Sequence, residues 1–590
     1  MNRYMFRVFR ELGWFLKKEW LKYIIVIVFS LAITYGLTYP PKLIGGAIDF
    51  IASGSIDQTE LTRIVGLLFV VAVVIYFAVL VKRYVLGSIF HKLFYLMKNL
   101  YLDKILKQDA NFFGKYSSGD LMSRAMGDTH AIANVSTHII VSIGDMVAMI
   151  VLSTIMMLQI NPVLTLFAIL PLPLIFLVVM IVRPKISANW KKVREKNGEL
   201  NNLTMESVTH VKLIRSFVRE EQDYKKLSDI ADAEYKIERK SVLLQSIFGP
   251  TFRIITLISQ GIALGFGSYL IINQQMSAGQ LITFNIFLMQ FAWPLFQLGN
   301  QITAFTQSGI AFDRFNEIIK AEPIVKDAID SEVIKEFDSI EFRNLSFKYP
   351  DDTEYIIKGI NLTINRGKTI GIVGKTGSGK STLVKQLLRQ FPVQEDEILI
   401  DGKSINSYKK ESIREMIAYV PQEHTLFSRT VLENIELGQS KGSMKLATDA
   451  INMADFEKDI QYLPQGLQTM VGEYGVTLSG GQKQRLSIAR AFIKDAEIMI
   501  FDDSLSAVDG TTEANIIKNL KKYRHGKTNI IIAHRMTAVE HCDEILVLEH
   551  GQIVERGSHE TLMKNQGWYY EQYNAQLLED VKDENNERGL

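Results

Sequence analysis

The stretch Thr369–Gln390 reads TIGIVGKTGSGKSTLVKQLLRQ and decides the fold of the second half of the chain. The apolar run at its start predicts a buried strand, and the segment from Thr382 onward predicts a helix. Between them lies the pattern GxxxxGK[ST], in the strand–turn–helix context that a phosphate-binding loop (Walker A) requires. The glycines let backbone N–H groups turn toward phosphates, Lys380 neutralises phosphate charge, and Ser381 ligates Mg²⁺. The candidate nucleotide-binding residues are Gly374, Lys375, Thr376, Gly377, Ser378, Gly379, Lys380, Ser381 and Thr382.

A second apolar strand is predicted over Ile498–Asp502 and ends in an acidic residue. An aspartate at the end of a buried strand assists Mg²⁺ binding in phosphate-loop NTPases, so Asp502 is a candidate metal-site residue beside Ser381. These two segments predict an α/β nucleoside triphosphatase. They leave ATP and GTP equally open as the nucleotide.

The motif Leu478-Ser479-Gly480-Gly481-Gln482 stands at the start of a helix predicted over Gln482–Phe492. A Ser–Gly–Gly turn at a helix N-terminus offers backbone N–H donors and the positive end of the helix dipole, which together form a second phosphate-binding surface. This motif resembles the signature motif of ATP-binding-cassette (ABC) ATPases. The resemblance implies ATP as the nucleotide, with Mg²⁺.

Further residues stand in the family's order around these motifs. The resemblance implies that Tyr349 stacks on adenine and that Gln422 senses Mg²⁺ and contacts the membrane domain. It also implies that Asp509 belongs to the D-loop and that His534 is the switch histidine near the γ-phosphate. Taken singly, Tyr349 and Gln422 are as well explained by packing or a turn. Their common order over about 190 residues identifies an ABC nucleotide-binding domain.

The sequence departs from the family pattern at Asp503, where most ABC ATPases have the glutamate that orients or deprotonates the attacking water. Aspartate is one methylene shorter, and a misplacement of about 1 Å costs roughly 10²-fold in rate. With Asp503, His534 and Gln422 as catalytic candidates, we therefore expect a slow site. The alternative is that Asp503 works adequately with a shifted water.

In this family the signature motif of one chain completes the ATP site of the other, so the resemblance implies a dimer. A homodimer would contain two copies of the Asp503 site and should hydrolyse ATP poorly. A heterodimer with a second ABC half-transporter is favoured, because the intact motif at Ser479 would complete a competent site on the partner. The chain resembles the shorter subunit of heterodimeric bacterial multidrug exporters.

The first half of the chain contains several long apolar stretches. About 20 apolar residues are needed for a helix to cross roughly 30 Å of hydrocarbon. The six predicted spans are 23–45, 61–81, 139–158, 162–182, 247–272 and 279–304. We therefore expect an all-α six-helix transmembrane domain in the lipid bilayer, followed by an α/β P-loop nucleotide-binding domain, which is the ABC exporter architecture.

Loop charges predict the orientation of the spans. Residues 82–138 and 183–246 carry many basic side chains, whereas the connections near Asp57, Asn161 and Gln274 are nearly devoid of them. The positive-inside rule places the two basic segments and both termini in the cytoplasm, so we expect a multi-pass protein of the cytoplasmic membrane.

The two basic segments are too long to be simple turns. Residues 82–108 have helical apolar spacing and lack proline, so they extend the second span into the cytoplasm by roughly 40 Å. The chain is then predicted to turn near Phe112 and Phe113, and again near 206–217. The run from Phe112 to Asp128 resembles the first coupling loop of ABC exporters, and 279–295 resembles their sixth span. Their spacing alone leaves two roles open: these segments transmit movement between the soluble and membrane domains, or they form a rigid stalk.

The remaining features set the domain boundaries. An amphipathic membrane-surface helix is expected over 1–22, where Met5, Phe6, Phe9, Leu12 and Phe15 alternate with basic residues. The domains predicted after it are a transmembrane domain over 23–315, a linker over 316–336, the nucleotide-binding domain over 337–578 and a disordered charged tail over 579–590. The net charge of +2 gives no reason to expect nucleic-acid binding, and the single cysteine, Cys542, is interpreted as a packed thiol.

The leading functional hypothesis is export of lipophilic, often cationic small molecules. A lipid or peptide exporter of the same architecture, or an ATP-binding regulatory membrane module, are the alternatives. Asp145 lies within the third span and either attracts a cationic drug or pairs with Arg253 of the fifth span. The aromatic residues proposed to line a cavity, or to face lipid instead, are Phe287, Phe291, Trp293 and Phe296.

Overall fold

The computed structural model describes residues 10–587 except 55–57, 351, 440–442, 473–477 and 507. The chain divides into two compact units. The first comprises the described residues up to Leu106 together with Ser118–Ala321, and the second comprises Lys107–Ser117 together with the described residues from Glu322 onward. Each unit is described separately below.

The part of the chain before residue 321 is helical where the structure describes it. Two π-helical turns, Arg124–Asp128 and Val135–Ile139, interrupt the third long helical stretch. The α-helices are α1 Gly13–Lys18, α2 Trp20–Gly36, α3 Tyr39–Ala52, α4 Gln58–Leu106, α5 Ala110–Lys115, α6 Ser118–Ser123, α7 Thr129–Asn134, α8 Ile140–Ile160, α9 Pro162–Ile169, α10 Pro173–Thr209, α11 Val211–Ser216, α12 Glu220–Ile272 and α13 Ala278–Lys320.

Among the described residues, four helical stretches are long and apolar enough to cross a membrane. They are Trp20–Ala52, Gln58–Leu106, Ser118–Ile160 and Glu220–Ile272. The other two predicted spans are not among these four: the structure has a shorter apolar helix, Pro162–Ile175, within 162–182, and 279–304 lies on α13. In the most apolar window of α4, 0% of the residues are buried, so this surface is available to lipid.

The helices also show how the spans continue beyond the hydrocarbon. Helix α4 has 49 residues and spans roughly 74 Å, which agrees with the predicted extension of the second span, while the cytoplasmic side of that extension stays a prediction. The chain turns through α5, as predicted near Phe112. A matching turn lies at α11, between the end of α10 at Thr209 and the start of α12 at Glu220.

Both ends of the chain differ from the expectations. Leu12 and Phe15 are buried. The helix is interrupted at Glu19, between α1 and α2, so this segment does not form one continuous helix. Met5, Phe6 and Phe9 lie outside the described residues. At the other end the last helix runs from Trp568 to Glu587, so the predicted disorder of the 579–590 tail is wrong as far as Glu587.

The second unit is built around two sheets in the part that the structure describes. The larger sheet has the order β10-β9-β3-β8-β7-β6, parallel except for the β10–β9 pair, and the smaller antiparallel sheet has the order β2-β1-β4-β5. The strands are β1 Ser339–Phe347, β2 Ile357–Asn365, β3 Thr369–Gly374, β4 Ile398–Ile400, β5 Lys403–Ser404, β6 Ile417–Val420, β7 Ile498–Asp502, β8 Thr528–Ile532, β9 Glu544–Glu549 and β10 Gln552–Gly557.

Helices and two hydrophobic clusters surround the larger sheet. The central strands β3, β8 and β7 are mainly apolar because both faces of a parallel sheet are covered. Cys542 is buried, as predicted, and burial raises the pKa of its thiol. The helices are α14 Lys380–Leu387, α15 Lys410–Met416, α16 Val431–Glu436, α17 Met444–Met453, α18 Glu457–Ile460, α19 Gly480–Phe492, α20 Gly510–Tyr523, α21 His559–Asn565 and α22 Trp568–Glu587.

Candidate ATP-hydrolysis site

The predicted phosphate-binding loop connects the end of β3 to the start of α14. Its glycines adopt positive φ angles, with 147° at Gly374, 81° at Gly377 and 100° at Gly379. A Cβ at Gly374 would lie 2.1 Å from the carbonyl oxygen of Leu548, so a larger residue has no room there. This backbone can form a cradle of N–H groups because only glycine takes these conformations without strain.

Lys380 begins α14 and is only 6% exposed. Its ammonium donates to the carbonyls of Gly374 at 2.8 Å and Lys375 at 3.0 Å, so the side chain folds back over the loop. Burial lowers the pKa of Lys380, while the nearby Asp503 and Asp502 carboxylates act in the opposite direction. A cation held this way is suited to meet phosphate oxygens without reorganising.

Asp502 ends β7 and is 1% exposed. It accepts a hydrogen bond from the Ser381 hydroxyl at 2.5 Å and a second one from the Tyr419 hydroxyl at 2.8 Å. Burial raises the pKa of the Tyr419 phenol, so it remains a donor to the carboxylate. The structure therefore brings together Ser381 and Asp502 as predicted, and adds Tyr419.

These residues fit Mg·ATP. The buried hydroxyl of Ser378 has no hydrogen-bond partner among the described residues, although it lies in the loop where phosphate oxygens would be held. Ser381 and Asp502 offer the oxygen ligands that Mg²⁺ prefers and, with Gln422, would hold the ion. When bound, Mg²⁺ would neutralise charge on the phosphate oxygens.

One carboxylate oxygen, Asp503 Oδ2, is approached by both Gln422 and His534. Gln422 Nε2 donates to Asp503 Oδ2 at 3.3 Å, and His534 Nε2 lies 3.8 Å from the same oxygen. The other carboxylate oxygen, Oδ1, is buried and has no hydrogen-bond partner among the described residues. The predicted catalytic candidates are thus neighbours, although they come from three separate segments of the chain.

Tyr349 lies beside the phosphate-binding helix. Its hydroxyl is 3.1 Å from Thr382 Oγ1, and its ring packs edge-on against Phe347 and Phe391 with centroids 5.2 Å apart in each pair. The structure therefore brings Tyr349 to the nucleotide loop. Its stacking on adenine stays a prediction.

The signature motif begins α19. Ser479 is the N-cap and forms a capping box with Gln482, in which each side chain binds the other's backbone N–H. Leu478 is buried, whereas Ser479 and Gly480 are exposed. A Cβ at Gly480 would meet nothing within 4 Å among the residues that the structure describes, so packing against those residues does not require glycine at that position.

Asp509 is the N-cap of α20 and accepts hydrogen bonds from Thr511 and Thr512. These bonds hold the pKa of its carboxyl well below the usual range. Arg485 from α19 lies 3.9 Å away. The predicted D-loop residue therefore has a structural role in starting α20, beside the helix that carries the signature motif.

Known families and relatives match the sequence of this chain. The protein family described as "ABC transporter transmembrane region" matches residues 23–295, and the family described as "ABC transporter" matches residues 357–506. The chain is 40% identical over 576 residues to YheI of Bacillus subtilis, a "probable multidrug resistance ABC transporter ATP-binding/permease protein", which covers 97% of this chain and 98% of that protein.

The chain belongs to the ABC transporter family.

Other relatives of this ABC transporter are named for different activities. It is 32% identical to the multidrug resistance-like ATP-binding protein MdlA of Escherichia coli, over 98% of each chain. It is 31% identical to the ATP-dependent lipid A-core flippase of Aromatoleum aromaticum, over 82% of this chain and 80% of that protein. A bacterial Atm1-family ABC exporter solved with ATP bound has a TM-score of 0.79 and 25% identity, over 95% of this chain and 98% of that chain.

These findings confirm the fold class and the ABC exporter assignment: helical transmembrane and α/β nucleotide-binding domains are fused in one chain. They also confirm an ATPase coupled to transport. The protein is therefore an ATP-binding membrane protein.

The candidate cargo residues of the transporter are arranged differently from the prediction. Asp145 Oδ2 accepts from Lys82 Nζ at 2.5 Å, whereas Arg253 is exposed, so the predicted pairing of Asp145 with Arg253 is wrong. The pairing depends on which helices are neighbours, and α4 supplies the nearer cation. A cavity of about 770 Å³ lies at this pair, lined among others by Lys82, Arg83, Asn134, His138, Asp145 and Gln301.

The aromatic residues of α13 have different surroundings. Phe287 and Phe291 are buried in a hydrophobic cluster of the helical first unit, whereas Trp293 is 58% exposed. Phe296 packs on Phe252, with the ring centroids 4.8 Å apart. The lining of a cargo cavity by Phe291 and Trp293 stays a prediction.

Proposed function

We propose that this chain is one half of a heterodimeric exporter that moves lipophilic or cationic drugs outward across the cytoplasmic membrane. Two relatives that span nearly the whole chain are named for multidrug resistance, which supports drug export. The basic loops at 82–138 and 183–246 support a topology with both termini in the cytoplasm.

The heterodimer proposal rests on the identity and position of Asp503. Gln422 and His534 both approach its carboxylate, which supports Asp503 as the hydrolytic acid, with a side chain one methylene shorter than the usual glutamate. A shortfall of about 1 Å costs roughly 10²-fold in rate. This chain's own site then retains ATP and hydrolyses it slowly, and turnover depends on a partner that carries glutamate.

The exposed signature motif supports the same arrangement. Ser479 and Gly480 are exposed at the N-terminus of α19, and a Cβ placed at Gly480 would meet none of the described residues within 4 Å. A helix N-terminus with free N–H groups binds phosphate. The motif therefore completes the partner's ATP site, while Lys380 and Asp503 serve this chain's own.

Lipid export is the second candidate, since one relative is a lipid A-core flippase. The cavity adds a specific observation, because Lys82 and Arg83 outnumber the single carboxylate of Asp145 among its lining residues. An excess of positive charge favours the phosphate of an amphiphile over a cationic drug.

The test is purification of the tagged chain from its native membranes, followed by reconstitution into vesicles. We expect a one-to-one complex with a second ABC half-transporter that has glutamate after its Mg²⁺ aspartate, and ATP-driven accumulation of a lipophilic cationic dye. Accumulation of a fluorescent phospholipid without dye transport would favour the lipid candidate. A homodimer with full ATPase activity would overturn the heterodimer.

A further inference from the structure

The C-terminal helix α22 holds the backbone of the segment that carries the switch histidine. Gln576 Nε2 donates to the carbonyl of His534 at 2.8 Å, and Gln576 Oε1 accepts from the N–H of Met536 at 2.8 Å. One side-chain amide therefore fixes an acceptor and a donor two residues apart. This restrains the backbone on both sides of Arg535.

The opposite side of this segment is held by Glu513 of α20. Glu513 is 4% exposed and lies close to the Arg535 guanidinium at 3.5 Å and the Thr537 hydroxyl at 3.3 Å. Helix α22 itself is anchored by Tyr569, which is fully buried in the hydrophobic cluster beside the larger sheet. Gln576 thus acts from a fixed helix on a fixed segment.

The His534 side chain has less support of its own. It is 38% exposed, and its Nε2 lies 3.8 Å from Asp503 Oδ2, which is too far for a hydrogen bond. The direction of the imidazole is therefore set mainly by its backbone. Gln576 is the side chain whose two hydrogen bonds bracket that backbone.

We propose that Gln576 is a positioning residue for His534, and that α22 thereby sets how long this chain's own site retains ATP. This inference rests on the proposed role of His534 at the γ-phosphate. Loss of the two hydrogen bonds frees the backbone at His534 without touching any residue of the phosphate-binding loop.

The experiment uses the full transporter with its partner, in which the partner's phosphate-loop lysine is replaced by alanine so that only this chain's site binds nucleotide. The dissociation rate of N-methylanthraniloyl-ATP is measured for Gln576→Leu, His534→Ala and the double variant. Gln572→Leu is the control because it makes the same change one turn earlier on α22. We expect release to be about five- to tenfold faster in Gln576→Leu than in the control, since two hydrogen bonds are lost.

The double variant separates positioning from simple stability. If Gln576 acts through His534, Gln576→Leu adds nothing to His534→Ala, whereas independent effects multiply. Gln576→Glu keeps the acceptor for Met536 but sets a carboxylate oxygen against the His534 carbonyl, so it should also speed release. Gln576→Glu therefore replaces Gln576→Leu in the experiment if the leucine variant fails to fold.

The outcomes distinguish the inference from the function it rests on. If His534→Ala speeds release and Gln576→Leu behaves like Gln572→Leu, the positioning role is wrong and the proposed site stands. Multiplying effects in the double variant also refute positioning. If His534→Ala changes nothing, both the role of His534 and the inference fail.

Discussion

Asp145 is paired with Lys82, with 2.5 Å between the carboxylate and the ammonium, inside the membrane unit. The side chains are 33% and 15% exposed, so the pair lies at the cavity and not in bulk solvent. The charge of Asp145 is therefore already balanced by this chain. A cationic substrate would have to compete with Lys82 for it.

Removing Lys82 alone should be more harmful than removing both partners. Lys82→Met leaves the Asp145 carboxylate without its counter-ion, and a partly buried charge without a partner is costly. We expect the melting temperature of the purified transporter to fall by about 5 °C in Lys82→Met, and to recover at least half of that loss in Lys82→Met/Asp145→Leu.

Arg83→Met is the matched control, since it removes a neighbouring cation from the same cavity. Its melting temperature should stay within about 2 °C of the wild type. Equal losses in Lys82→Met and Arg83→Met, with no recovery in the double variant, would show that the pair does not stabilise the unit.

The Asp145 result shows which features a sequence can predict. The strand–turn–helix at the phosphate-binding loop, the strand that ends at Asp502 and the helix that starts at the Ser–Gly–Gly turn were predicted correctly because their geometry is local, with fixed spacing along the chain. The partner of Asp145 depends on which helices pack together, and neither Lys82 nor Arg253 is marked by spacing. Sequence alone therefore left the drug-binding and ion-pair readings of Asp145 open.

Tyr419 and Gln576 were missed for the same reason. Tyr419 reaches Asp502 because β6 pairs in parallel with β7. Gln576 reaches His534 because α22 returns to the larger sheet across 42 residues of sequence. The fourth and sixth spans were located on helices, but only the fold shows that Pro171 and Pro173 lie where the fourth span breaks between α9 and α10.

Lys380 should be needed for nucleotide binding at this chain's own site. Its ammonium lies over the loop, where it donates to the carbonyls of Gly374 and Lys375, and would be the principal charge to face the phosphates of a bound nucleotide. We expect Lys380→Ala to weaken ATP binding by about 10- to 100-fold, because a charge-assisted contact is lost. The measurement is titration of the assembled transporter with a fluorescent ATP analogue, with the partner's site inactivated.

Lys368→Ala is the control, because Lys368 precedes β3 and lies outside the loop. Lys368 is exposed and its ammonium pairs with Asp543 at 3.2 Å. Its loss should change affinity by about twofold or less. If the two alanine variants bind ATP equally well, Lys380 is not the phosphate-binding cation.

Ser479 should matter for turnover although it lies outside this chain's own phosphate loop. Ser479→Arg removes the N-cap of α19 and places a bulky cation at the surface that should meet the partner's nucleotide. We expect steady-state ATPase activity of the heterodimer to fall by at least about tenfold, because the partner's site carries most of the hydrolysis.

Ser558→Arg tests whether loss of the cap alone explains the result. Ser558 is the N-cap of α21, and its hydroxyl accepts from the Thr561 N–H in the same way. Loss of such a cap costs about 1 kcal/mol of stability. Activity that falls equally in both arginine variants would mean that the signature motif has no special role in the partner's site.

The most demanding prediction concerns Asp503, whose carboxylate lies where Gln422 and His534 converge. If this site is slow, Asp503→Asn in the heterodimer leaves most of the ATPase activity, and removal of the partner's glutamate nearly abolishes it. Asp503→Glu extends the carboxylate by one methylene. We expect it to raise hydrolysis at this chain's own site by about tenfold or more, because the reach toward the water is restored.

The Asp503→Asn and partner-glutamate changes are measured as steady-state ATPase activity of the heterodimer. Asp503→Glu is measured as single-turnover hydrolysis by this chain's own site, with the partner's phosphate-loop lysine replaced by alanine. The homodimer of this chain supplies an independent check, since it has two copies of the Asp503 site and should hydrolyse little ATP. Robust homodimeric activity that disappears in Asp503→Asn would falsify the slow-site proposal and the heterodimer inference together. The exporter assignment would survive that result, because it depends on the phosphate-binding loop, the signature motif and the transmembrane region, none of which includes Asp503.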